Sequence, residues 1–247
     1  MAKRKTAAPS GIASAAPPVV AALQPRPDGT WLLTLTDGQV LKLGSEALEA
    51  LQQAAGLRFA PETSLDPATW AALQQQAQAH ALWEKALALL ARREHSRREL
   101  ALKLRQRFGN HPALDDCLDK LSHKNLQSDQ RFAAILVQER LRGLRGPRWV
   151  AHELGQKGVA QALIRQALAQ PSPQAWLDAA QARAQTLWRK AQHKPQALLA
   201  LRQGLFRAGF AAEHIQAVLA HWSTAATSDD TDPLWEEELP VADNFEE

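Results

Sequence analysis

Three glycines at nearly equal steps constrain this chain more than any other feature. They sit in the pairs Phe108-Gly109, Lys157-Gly158 and Ala208-Gly209, 49 and 51 residues apart. Each closes a basic helical pattern and precedes a second apolar-periodic stretch, at residues 114–121, 163–168 and 215–219. Self-similarity at a fixed period marks an array of supersecondary units, each too small to bury its apolar face alone. The expected fold is therefore mainly α: tandem three-helix repeats forming a curved helical array, a shape suited to lying along something long.

Local signals divide the array into units at 67–128, 129–171 and 172–222. In the first, Asp66-Pro67 supplies a cap and an N1 proline for a long helix reaching about residue 93. Leu82, Ala86, Leu89 and Leu90 share one face of it. Ser96-Arg97-Arg98-Glu99 is a capping-box sequence, in which the hydroxyl accepts from the N3 amide. Gly109 ends that second helix, Pro112 begins a third, and Asn125 can stop it in the left-handed conformation. In the second unit, Ser128 or Asp129 caps a helix bearing Phe132, Ile135 and Leu136, and Gly146-Pro147 opens the next with Trp149, Val150 and Leu154 inward. The third unit runs from a helix at 174–191 through Pro195 to Leu198, Leu201 and Leu205. Gly109, Gly158 and Gly209 are all expected as left-handed C′ residues.

Ahead of the array, residues 1–28 are rich in Ala and Pro, show no sustained period, and are expected to be disordered. The opening Lys3-Arg4-Lys5 and its Ala-rich sequel have too few large apolar residues for a secretion signal, and Pro17-Pro18 interrupts them. Residues 29–66 read as a small module. Asp37-Gly38 between β-prone runs predicts a hairpin with positive φ at both turn residues. Ser45 is placed to cap a helix that reaches Ala55, with Gly56 as its stop. No stretch of 18 apolar residues occurs, so no membrane span is expected. The one cysteine, Cys117, has no internal disulfide partner, which fits a reducing, cytoplasmic setting.

A net charge of +3 hides an asymmetry. Residues 223–247 hold nine acids and no Lys or Arg, so residues 1–222 carry 29 bases against 17 acids. A basic body with an acidic tail predicts a polyanionic partner and an internal competitor for it. The tail, with Pro233 and Pro240, is expected to be disordered.

Several blocks of this sequence resemble one family. Leu90-Ala91-Arg92-Arg93-Glu94-His95-Ser96-Arg97-Arg98-Glu99-Leu100 resembles the opening signature of the RecX regulatory proteins. Ser128-Asp129-Gln130-Arg131-Phe132-Ala133, Arg145-Gly146-Pro147-Arg148 and Glu153-Leu154-Gly155-Gln156-Lys157-Gly158 resemble later blocks, at matching spacing, over about residues 80–222. The Asp-Gly hairpin with its short helix is similar to the N-terminal extension of longer members. Two positions depart from the pattern: Gln127, where an aliphatic residue is usual, and Asn125, usually glycine. The resemblance implies an all-helical protein that binds RecA and lodges in the groove of the RecA–DNA filament. It implies restraint of the filament's ATPase, recombinase and coprotease activities, and no catalysis by the protein itself.

Residues 92–107 hold seven Lys or Arg against two Glu, and residues 131–148 hold five Arg against Glu139. A solvated helix face explains most such runs. With the resemblance, the candidates for contact with RecA or DNA are Arg97, Arg98, Lys103, Arg105, Arg131, Arg140, Arg142, Arg145, Arg148 and Lys157. Single- and double-stranded DNA are possible direct ligands, each phosphate contact making binding salt-sensitive. The protein is expected to be a monomer that needs no cofactor. A DNA coater acting without RecA is the alternative. A helix–turn–helix transcription factor fits less well, because the pattern occurs three times and no helix concentrates base-reading residues. His111, Asp115, Cys117 and His123 lack the tight spacing of a zinc site, and Cys117 has no activating neighbour. The tryptophans are expected in the core, apart from Trp235 in the tail.

Overall fold

The computed structural model of the protein describes residues 17–191 and 196–227. The chain divides after Ser128 into two compact units.

The first unit begins with a three-stranded antiparallel sheet, β1 (Val20–Pro25), β2 (Thr30–Leu35) and β3 (Val40–Gly44), in that order. β1 corrects the expectation of a disordered head through residue 28. Its Val20 is fully buried, and Leu23 packs against the same core. The strand is short, Ala-containing and bounded by prolines on both sides, so no period declares it. Residues 1–16 lie outside the described part.

The β2–β3 hairpin is present, with a different turn. Gly38 N–H donates to Leu35 O at 3.0 Å and Gly38 has φ +85°, whereas Asp37 stays at negative φ. This three-residue loop is a type I turn closed by a left-handed glycine. The Asp37 carboxylate accepts from Gln39 N–H at 2.9 Å, work that its negative-φ position allows.

Two helices follow, α1 (Ser45–Ala55) and α2 (Pro67–Leu90). Ser45 does not cap α1. Gly44 holds the cap position, and the Ser45 hydroxyl donates instead to Gly29 O at 2.6 Å. Gly56, at φ +64°, ends the helix as expected. The α2 cap is as expected: Asp66 Oδ1 accepts from Ala68 N–H and Thr69 N–H, each at 2.9 Å. Over its first turns α2 packs Trp70, Leu73 and Ala77 on the sheet core with Leu33, Leu43 and Phe59. Over its last turns it packs Leu82 and Ala86 against α3 (Arg97–Phe108) and α4 (Leu114–His123). Lys42 adds a polar tie between β3 and α2, contacting Asp28 at 3.0 Å and Glu84 at 2.5 Å.

The second unit contains two three-helix repeats. α5 (Asp129–Arg142), α6 (Pro147–Gln156) and α7 (Gln161–Leu168) enclose Phe132, Leu136, Val150, Leu154 and Ile164. α8 (Pro173–Ala191), α9 (Ala197–Arg207) and α10 (Ala212–Thr227) enclose Ala180, Leu201, Leu205, Phe210 and Val218. Each repeat lends residues to the other. Trp176 of α8 enters the first core, while Leu141 and Leu144 pack on the second. α10 continues to Thr227, past the expected end of helix at residue 222. The rest of the acidic tail lies outside the described residues.

All three repeat glycines fall in turns at positive φ: Gly109 at +67°, Gly158 at +78° and Gly209 at +88°. Gly158 and Gly209 close their helices with the backbone bonds Val159 N–H to Leu154 O and Phe210 N–H to Leu205 O. Gly109 differs, since its ψ of −156° puts it in a region essentially reserved for glycine rather than in the left-handed helical well. Leu144 takes the same C′ role after α5 at φ +54°, with its side chain packed on the α8–α10 core.

Of the seven tryptophans in the described residues Trp176 is buried within a core, and the other six are partly buried and packed against one. Trp188 and Trp222 pair at 4.8 Å between ring centroids.

Candidate polyanion-binding surfaces

The ten candidate cations fall in both units. In the first unit α3 carries four of them. Ser96 opens this helix, its hydroxyl accepting from Glu99 N–H at 3.1 Å. Leu100, Ala101 and Leu104 face the core, so Arg98 and Arg105 project into solvent by helical spacing. Arg97 and Lys103 are half buried, and the Arg97 guanidinium meets Asp119 at 2.7 Å. Just before the helix, His95 is buried with its Nδ1 3.1 Å from Glu99 Oε2, and Arg93 holds the same carboxylate at 2.6 Å. Burial pushes the imidazole below its ordinary value against the opposing pull of Glu99, with Arg93 and Lys103 adding to the depression. Gln127 is buried here. Its amide donates to His95 O at 3.2 Å and its carbonyl accepts from Ser122 at 3.1 Å. The polar residue is thus seated by two partners where an aliphatic one was the usual pattern.

In the second unit Arg140, Arg145 and Arg148 gather around the start of α6. Arg145 lies over the Trp149 ring at 4.7 Å and Arg140 at 5.7 Å. Arg140 is committed within the protein: it meets Glu153 through Nε–Oε2 at 2.8 Å and Nη2–Oε1 at 2.9 Å. That two-pronged bond raises its already high pKa. Arg148 is exposed and lies over Phe206 of α9 at 5.3 Å. Arg142 is exposed, Arg131 is half buried, and Lys157 sits 5.9 Å above the Phe132 ring.

Backbone approach explains how Arg148 reaches α9. Gly146 N–H donates to Ala208 O at 2.8 Å, and Arg148 N–H to Gly209 O at 3.0 Å. A Cβ on Gly146 would stand 2.3 Å from Gly209 C, and one on Gly209 would stand 2.4 Å from Trp149 Cβ. The Arg-Gly-Pro-Arg block therefore docks on the third repeat and brings its arginines to cations that the sequence had not singled out. One is Arg183 of α8, whose guanidinium is held below its usual range by burial and then by the charge of Arg145. Its Nε has no hydrogen-bond partner among the described residues. Arg202 and Arg207 of α9 are the others. The one sequence signal for this meeting was a glycine beside a proline, a mark of close backbone approach.

Guanidinium groups laid over aromatic faces suit a ligand that offers phosphates, carboxylates or stacked bases. In the first unit, burial pushes the Cys117 thiol up to about 11, away from the range of an activated nucleophile. No helix among the described residues is long and apolar enough to cross a membrane.

Residues 128–168, the α5–α7 repeat, match the family model for the second three-helix domain of RecX. The chain is similar to the solved crystal structure of a regulatory protein RecX, with a TM-score of 0.65 and 21% identity over 82% of this chain and 99% of that one. This likeness concerns the fold. The regulatory protein RecX of Ectopseudomonas mendocina is 45% identical over 83 residues, 34% of this chain and 55% of that protein. That of Halorhodospira halophila is 40% identical over 157 residues, which are 62% of this chain and 93% of the relative. Because the match runs nearly the whole length of that relative, the chain belongs to the RecX family of regulatory proteins.

Proposed function

We propose that this protein binds RecA and the RecA–DNA filament and inhibits the filament's ATPase, recombinase and coprotease activities, acting in the cytoplasm and catalysing nothing itself. The observation that carries this reading is family membership along 93% of a relative named for regulation. The α6–α9 surface supports it physically. Burial and then the like charge of Arg145 disfavour the charged Arg183 guanidinium, and an anionic ligand offsets both. Arg148, exposed and stacked on Phe206 with no ion pair among the described residues, extends the same surface. Exposed Arg98 and Arg105 of α3 form a second candidate contact.

The test is a titration of RecA's DNA-dependent ATP hydrolysis. A filament regulator lowers the rate at amounts well below RecA. A protein that merely coats DNA acts only as the DNA saturates, and that outcome would replace this reading with the DNA-binding one. Arg145→Gln with Arg148→Gln, and separately Arg98→Glu with Arg105→Glu, should each raise the concentration needed for inhibition. Unchanged inhibition by either pair removes that surface from the site.

A further inference from the structure

Between α9 and α10 lies a groove of about 840 Å³ that shares Arg148 with the surface proposed above but whose apolar floor that reading leaves unoccupied. Leu199 and Phe206 of α9 and Ile215 and Leu219 of α10 give it an apolar floor, and Arg148, Arg202 and Arg207 stand around it. Phe206 is 59% exposed and Leu199 45%. Apolar surface gathered in a groove and rimmed by charge offers a seat for a segment that is itself apolar and acidic. No carboxylate among the described residues pairs with any of the three arginines.

The chain itself contains a segment complementary to this groove. After Thr227, where α10 ends, residues 228–247 carry nine acids and no Lys or Arg. Within them Leu234, Trp235 and Leu239 bracket Glu236-Glu237-Glu238, an apolar triplet interleaved with three negative charges. Reach is sufficient. Trp235 stands eight residues beyond Thr227, roughly 26 Å of extended chain. From Thr227 back to Ile215 is twelve residues of helix, about 18 Å. A tail doubling back along α10 thus covers the groove without strain.

We propose that the α9–α10 groove is the seat of the protein's own acidic segment, residues 234–239. Trp235 and its flanking leucines cover Phe206, Leu199, Ile215 and Leu219, and Glu236, Glu237 and Glu238 face Arg148, Arg202 and Arg207. Tethering favours this occupant over a free peptide, since a short linker gives an effective concentration of order 1 mM. A contact of roughly 0.1 mM intrinsic affinity is then filled about nine-tenths of the time. The inference does not depend on what the protein regulates.

The full-length protein can be labelled with 5-fluorotryptophan and its Trp235 signal assigned by Trp235→Phe. At low salt the fluorine signal should lie well away from its position in a synthetic peptide of residues 228–247. It should return to that position in Arg202→Glu/Arg207→Glu, whose fold is checked by circular dichroism. Hydrogen exchange in α9 should quicken several-fold in Trp235→Ala, a change outside the packed helices that decides the matter if the charge-reversed protein does not fold. A peptide-like signal in the unaltered protein, or a displaced one that survives charge reversal, overturns the proposal. A displacement lost on dilution overturns it too, assigning the groove to the tail of a second copy. A peptide-like signal together with uptake of an added acidic peptide would assign the groove to another protein.

Discussion

Gly146 has an ordinary φ of −81°, so nothing in its own backbone requires glycine. The requirement comes from Gly209, whose carbonyl carbon would lie 2.3 Å from an added Cβ. Neither partner can yield, because both are backbone. Gly146→Ala should therefore cost about 1–3 kcal/mol through forced displacement. Gly155, inside α6 with open space around it, gives the contrast: alanine there should stabilise by about 0.5–1 kcal/mol. Urea unfolding of the two variants checks both signs, and equal effects would discredit the close approach. His95 supplies a pH dependence. Its folded imidazole titrates below the ordinary value of about 6.5. As pH falls through that ordinary value the unfolded chain takes up a proton before the folded one does, so stability is full above it and declines toward the lowered folded pKa. The decline can reach at most about 1.4 kcal/mol per pH unit for one proton. Unfolding free energy compared between pH ~7.5 and ~5.5 should fall less in His95→Asn than in the unaltered protein.

Among elements, α2 depends on one aspartate. Asp66 accepts from two first-turn amides and from the Thr69 hydroxyl, a set that holds its carboxyl below the usual range. Asp66→Ala should lower the melting temperature by a few degrees, whereas Asp66→Asn should recover most of the loss, as thermal unfolding can show. Elements whose signals are local were legible in the sequence for this same reason. Asp66-Pro67, Ser96 and Gly146-Pro147 carry their helix starts within one turn, and Gly158 carries its stop. β1 was not legible, because a short strand between prolines is defined by its partner β2 rather than by its own residues. The α6–α9 surface was half legible. Arg145 and Arg148 were visible as charge, but Arg202, Arg207 and Phe206 join them only through a backbone contact spanning more than fifty positions. Nor could composition separate Arg140, spent on Glu153, from Arg148, which keeps its guanidinium on the surface.

For the molecule as a whole the governing quantity is the opposition between a basic body and nine acids in its last 25 residues. An acidic segment tethered to cationic helices competes with any polyanion for them. A chain ending at Thr227 should bind single-stranded DNA more tightly than the full-length protein at low salt. The advantage should shrink as salt rises, since screening weakens the competition along with the binding. Fluorescence anisotropy over a salt series measures both, and equal affinities at low ionic strength would leave the tail with no part in binding.

The single helix α2 serves two cores, and this limits how such a protein can be rearranged. Trp70, Leu73 and Ala77 are inward-facing only because the sheet is there, while Leu82 and Ala86, a few turns on, belong to the first repeat. A fragment lacking residues 17–66 would retain half of a 24-residue helix as a bare greasy stripe, an invitation to aggregate. The N-terminal module is accordingly not an interchangeable cassette. In any relative that dispenses with it, the aligned helix must either start later or carry polar residues where Trp70 and Leu73 stand.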